Sequence, residues 1–216
     1  MSSLIYIHGF LSSPQSFKAR QLQQWLAAHR PDVQWHCPHL TPYPEQTRHT
    51  LETLVDRFLA ENQPVGVMGS SLGGFWATWL AETRNVKAVL VNPSVSPWQF
   101  MPEYLHRDLT AWHGETVYRL NETHVEEIRA CERAILLPHN YWLLVQTGDE
   151  TLDYSRAVAR YRDCRQTVED GGDHSFQGFE RYHQQTIEFL LGPAAMRSDT
   201  AATPPLFSGE ITTHYG

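Results

Sequence analysis

The chain switches between two hydrophobic periods along most of its length. Short runs bearing β-branched residues stand at 4–7, 33–37, 64–68, 86–91, 141–146 and 165–169, and each reads as a strand of a mainly parallel sheet. Between them the period lengthens to that of a helix. Leu51, Leu54, Val55, Phe58 and Leu59 form one stripe after the breaker Pro42-Tyr43-Pro44, and Leu72, Phe75, Trp76, Trp79 and Leu80 form another. A first helix is expected from near Pro14, capped by Ser13, with Leu22, Trp25 and Leu26 on its buried side. Strands alternating with helices in this way predict a three-layer α/β fold around a mainly parallel sheet.

The alternation stops between Asn92 and Asn140. This insertion, about 93–140, carries Trp98, Phe100, Tyr104, Trp112 and Tyr118, with a helical stretch around 125–136. Insertions of this length in compact domains are commonly lids, so its aromatics either roof a pocket or pack a small core of their own. After Gly192 the apolar periodicity is lost. Residues 1–192 are therefore expected to form a single domain, and 193–216 a loosely held C-terminal tail.

Composition narrows the class of partner. With 216 residues, 41% of them hydrophobic, the chain is long enough for one domain with a real core. A net charge of -7 without any run of Lys or Arg argues against nucleic acid or an anionic membrane surface as the partner. No segment approaches the roughly 18 apolar residues of a membrane span. Met1-Ser2-Ser3 leads directly into a strand without a basic flank or cleavage site, and the three cysteines, 37, 131 and 164, are widely spaced. Both features suit a cytoplasmic protein with three free thiols. The 12 histidines include the cluster His36-Cys37-Pro38-His39, yet a fourth ligand at a sensible spacing is missing, so no metal is expected. Small molecules are the expected partners.

Chemistry concentrates at Gly69-Ser70-Ser71-Leu72-Gly73, where strand 64–68 meets the following helix. A serine between two glycines at a strand-to-helix turn is the pattern of a nucleophile elbow, with Ser71 exposed at its tip. A serine hydroxyl needs a base, and the base needs an acceptor that fixes its tautomer. His174 is the expected base, because it alone among the downstream histidines lies in a glycine-bearing loop, Gly171-Gly172-Asp173-His174-Ser175-Phe176, between a strand and a last helix. His183 falls within that helix, residues 106, 113, 124 and 139 in the insertion, and 214 in the tail. Asp149, the first carboxylate past strand 141–146, is the expected acid. Asp153 reads better as a helix cap, and Glu150 points away if the strand persists. The backbone amides of Leu72 and of Phe10, in Ile7-His8-Gly9-Phe10-Leu11, are the expected oxyanion donors. His8 reads as a structural residue of that loop.

These motifs occur in the order Tyr6-Ile7-His8-Gly9-Phe10, Gly69-Ser70-Ser71-Leu72-Gly73-Gly74, Gln146-Thr147-Gly148-Asp149-Glu150 and Gly171 to Phe176. Ser12-Ser13-Pro14, Ala77-Thr78-Trp79-Leu80, Val91-Asn92-Pro93 and Cys164-Arg165-Gln166-Thr167-Val168 accompany them. From about residue 3 to 191 the chain thereby resembles the YqiA-like esterase family, small bacterial serine esterases of the α/β-hydrolase fold. The resemblance implies a six-stranded sheet of order 2-1-3-4-5-6 with a helical insertion after the fourth strand. It also implies hydrolysis of a small acyl ester or thioester through an acyl-enzyme, without a cofactor, on Ser71, His174 and Asp149. An acyl-CoA thioesterase with the same residues is the alternative enzyme. A non-catalytic ligand-binding homologue is the alternative of another class, and a broken triad would be its mark. Lys18 and Arg20 could meet an anionic group such as a coenzyme A phosphate, although on a helix they read as a solvated face.

Overall fold

The structure, a computed structural model, describes residues 1–194; the tail expected at 193–216 lies almost wholly outside the described residues. The chain runs β1 (Ser2–Ile7), α1 (Phe17–His29), β2 (Val33–His36), α2 (Pro44–Ala60), β3 (Val65–Ser70), α3 (Leu72–Arg84) and β4 (Lys87–Val91). It continues with β5 (Leu109–Thr110), β6 (Val117–Tyr118), α4 (Glu122–Ala130), β7 (Tyr141–Gln146), α5 (Tyr154–Arg160), β8 (Arg165–Glu169) and α6 (His183–Leu191). Six strands form one sheet, in the order β2-β1-β3-β4-β7-β8, and every neighbouring pair is parallel. Counted within that sheet the order is the 2-1-3-4-5-6 of the expected fold. Counted along the whole chain two more strands intervene, because the insertion builds a small antiparallel hairpin, β5–β6, that the hydrophobic pattern does not announce.

Side-chain alternation along the strands builds the three layers. On β1, Leu4 and Tyr6 face one way and pack with Ala19, Leu22 and Leu26 of α1 and with Ile187 and Leu190 of α6. Ile5 and Ile7 face the other way, toward Leu51, Val55 and Phe58 of α2 and Phe75 and Leu80 of α3. Both faces of the sheet are thus covered, as an all-parallel sheet requires. Among the described residues no helix is long and apolar enough to cross a membrane.

Three local expectations are corrected. Helix α1 begins at Phe17 with Ser16 in the cap position, while the Ser13 hydroxyl accepts the Gln15 amide in the preceding turn. The helix expected around 125–136 is α4, which ends at Ala130. Further on, the amides of Leu136 and Leu137 donate to the Glu82 carboxylate of α3, and Leu137, preceding Pro138, is steered away from helical angles. Leu59, assigned to the buried stripe of α2, is 38% exposed.

Candidate active site

Ser71 sits between β3 and α3 with φ 55 and ψ -122, a conformation that costs a non-glycine residue about 1–3 kcal/mol. The surroundings impose it. The Ser71 amide donates to Val91 O at 3.1 Å, and its carbonyl accepts from the amides of Gly74 and Ser94, both at 2.9 Å. The flanking glycines have no room for a side chain: a Cβ on Gly69 would stand 2.0 Å from Gly73 O, and one on Gly73 would stand 1.9 Å from Ile7 O. The tight turn lifts the Ser71 hydroxyl above the carboxyl edge of the sheet.

The elbow, the loop after β7 and the loop after β8 meet at that edge. His174 Nε2 lies 3.0 Å from Ser71 Oγ, and His174 Nδ1 lies 2.8 Å from Asp149 Oδ2. Asp149 Oδ1 accepts the amides of Thr151 and Leu152 at 2.9 and 2.8 Å. Burial pushes the Asp149 carboxyl up, but the hydrogen bonds from His174, Leu152 and Thr151 outweigh it and hold the group below its usual range. Its side chain is 1% exposed against 23% for His174, so the imidazole stands between a dry carboxylate and an accessible hydroxyl. Asp153 caps α5 through the Ser155 amide, as expected.

Sequence reasoning overlooks three residues that hold the histidine. Buried Asn92 donates from Nδ2 to the carbonyls of Asp173 and His174 at 3.0 and 3.1 Å, and accepts the Gln146 amide on Oδ1. Gln146 Oε1 accepts the amides of Asp173 and Gln177, while its Nε2 donates to Gln177 O and to Glu169. Glu150, expected to point away, accepts the His174 amide at 2.9 Å, because the strand ends at Gln146 and the chain turns there. The sequence marked their positions, in Val91-Asn92-Pro93 and Gln146-Thr147-Gly148-Asp149-Glu150, without showing what they hold.

The first loop is fixed from two sides. His8 Nε2 accepts the Leu40 amide at 3.1 Å and Nδ1 contacts Gly9 O, the structural role expected of it. The Trp112 amide of the insertion donates to Leu11 O at 2.8 Å. The amides of Phe10 and Leu72 form no backbone hydrogen bond among the described residues, and Leu72, opening α3, has no intrahelical acceptor for its own.

A cavity of about 1040 Å³ opens over Ser71 and His174. Phe100, Tyr104 and Trp112 of the insertion line it together with Phe10, whose ring stands 5.7 Å from Phe100 and 5.1 Å from Tyr104. Trp98 and Tyr118 pack instead against Phe75 and Tyr43. The insertion's aromatics therefore divide between a pocket wall and a core of their own. Lys18 also lines the cavity, whereas Arg20 is exposed. His36 and His39 have separate partners, Ser3 and Tyr118.

A strained serine at a strand-to-helix turn on the carboxyl edge of such a sheet defines the α/β-hydrolase class, and the fold is shared with solved members. Est1E from Butyrivibrio proteoclasticus superposes with a TM-score of 0.63 at 18% identity, over 87% of this chain and 88% of that one. Alpha/beta hydrolase domain-containing protein 10 from mouse does so with a TM-score of 0.64 at 16% identity, over 86% and 88%. Within that class the chain belongs to the uncharacterised protein family UPF0227, whose model matches residues 3–191, the YqiA-like grouping that its motifs indicated. UPF0227 protein YcfP of Salmonella paratyphi A is 26% identical to it over 190 residues, 86% of this chain and 97% of the relative.

Proposed function

We propose that the protein is a serine esterase acting on small carboxylic esters through an acyl-enzyme. The continuous hydrogen-bond relay from Asp149 through His174 to Ser71, with distances of 2.8 and 3.0 Å, carries this reading. His174 Nε2 takes the Ser71 proton as Oγ attacks the acyl carbonyl. Asp149 fixes the tautomer that leaves Nε2 free to accept, and stabilises the imidazolium that forms. The Leu72 and Phe10 amides receive the oxyanion, and removing one such donor costs about 3 kcal/mol of barrier. His174 then protonates the departing alcohol. A water, deprotonated by the same nitrogen, attacks the acyl carbon and returns Ser71 to its hydroxyl form.

That Est1E was solved with ferulic acid bound, and that other structures sharing the fold bear the names esterase and lipase, supports the ester as substrate class. The aromatic wall built by Phe10, Phe100 and Tyr104 suits an apolar portion of the substrate. Hydrolysis of p-nitrophenyl esters from acetate to long chains, with matched thioesters, tests the proposal. The wild type is expected to turn over esters, and Ser71→Ala to lose about 10³-fold or more in kcat. Activity persisting in Ser71→Ala, or a wild type inert on all of them, would refute it.

A further inference from the structure

Aromatic side chains line much of the cavity, and a single cation stands among them. Lys18, in the first turn of α1, is the single lysine or arginine among the described residues that line the space over Ser71. Its Nζ donates to the hydroxyl of Ser70, the neighbour of Ser71, at 3.0 Å. An ammonium carries three donors, so two are left without a protein acceptor among the described residues. It forms no ion pair there: Asp173 and Asp149 act on it only from a distance, and α1 has no acidic residue in its first turn. The ring of buried Phe179 flanks it with its centroid 6.0 Å from Nζ.

A half-buried, unpaired ammonium is unfavourable unless some partner compensates it. The Ser70 hydroxyl gives it one neutral acceptor, and a neutral side chain could bond that hydroxyl without the cost of burying a charge. The cavity is where the missing anion can enter. Resting on the esterase reading above, we propose that Lys18 is a specificity-determining residue that binds a carboxylate carried by the substrate. The preferred substrates are then esters with a free acid group, not neutral esters. One cation, with Glu103 and Glu180 at the exposed rim, suits a monoanion better than a phosphate dianion.

Two matched pairs test this: p-nitrophenyl hemiadipate against its neutral adipamate, with the acid on the acyl side, and 4-acetoxybenzoate against 4-acetoxybenzamide, with the acid on the alcohol side. Wild-type kcat/KM is expected to favour the acid by about tenfold or more in at least one pair. Lys18→Met is expected to bring that ratio to within about twofold of one, chiefly through KM, and Lys18→Arg to keep part of it. Burial pushes the Lys18 ammonium down to about 8. The wild-type preference should therefore decline from pH 7 to pH 9 while the substrate's charge stays constant, a readout that needs no variant to fold. Ratios near one in both pairs, or a preference unmoved by Lys18→Met, would overturn the assignment. Hydrolysis of neither member of either pair, or hydrolysis equal in Ser71→Ala, would instead defeat the serine-esterase reading.

Discussion

Gln146 shows how one residue can govern the geometry of a base it does not touch. Its carboxamide is fully engaged, with two backbone amides of the histidine loop on Oε1 and one carbonyl and one carboxylate on Nε2. Gln146→Ala would strand the Asp173 and Gln177 amides. It should lower stability by about 2 kcal/mol or more in denaturant melts, and lower kcat by about tenfold or more, with KM much less affected, by letting the imidazole drift. Ser71 and His174 were legible in the sequence because their cues are local, a pair of glycines around one and a glycine-bearing loop around the other. The roles of Gln146, Asn92 and Glu150 were not, because their partners lie 23 to 82 positions away and only the folded sheet edge brings them together. Lys18 was half legible. It stands four residues before Leu22, so the apolar stripe of α1, extended one turn back, reaches it.

At the scale of elements, periodicity captured the sheet and failed in the insertion. Strands β7 and β8 match their expected bounds; β7 is an apolar run paired on both sides, by β4 and β8, which leaves little freedom at its ends. Residues 131–137 have no such partner strand. Side chains hold them instead: Arg160 donates to the Glu132 carboxylate and to Arg133 O, and Glu82 accepts the Leu136 and Leu137 amides and, at 2.6 Å, the Tyr141 hydroxyl. Burial, then the Glu82 carboxylate beside it, pushes the Tyr141 hydroxyl far up, so it remains a donor at any working pH. Glu82→Ala should therefore loosen the return from α4 to β7. Amide hydrogen exchange at Leu136 and Leu137 is expected to quicken, with a stability loss of about 1–3 kcal/mol, while α4, capped by Asn121 and His124, stays protected.

For the molecule as a whole, the acid limb of stability should carry the mark of His183. This ring opens α6 at 1% exposure, edge-on to Trp25 and Phe179, and neither nitrogen has a hydrogen-bond partner among the described residues. Burial, with Glu180 opposing and His29 reinforcing, pushes it down to about 4. Above pH 6.5, the ordinary imidazole value, both folded and unfolded forms are neutral and the residue is indifferent to pH. As pH falls from 6.5 to 4 the unfolded chain takes up a proton that the folded one refuses, so stability falls. Below 4 both are protonated and the loss stops growing. His183→Leu should shrink the drop in Tm between pH 7.5 and pH 5, and an unchanged drop would assign the acid limb to other groups. The sheet order has a consequence in time as well. Ser71 and His174 are 103 positions apart, and the histidine loop follows β8, the edge strand made last. A growing chain in which β1, β3 and β4 have already paired holds its serine without a base. On the proposed mechanism, chemical competence thus arrives only once β8 and the histidine loop have been made, which makes labelling of Ser71 by an acylating probe a clock for the docking of that last sheet strand.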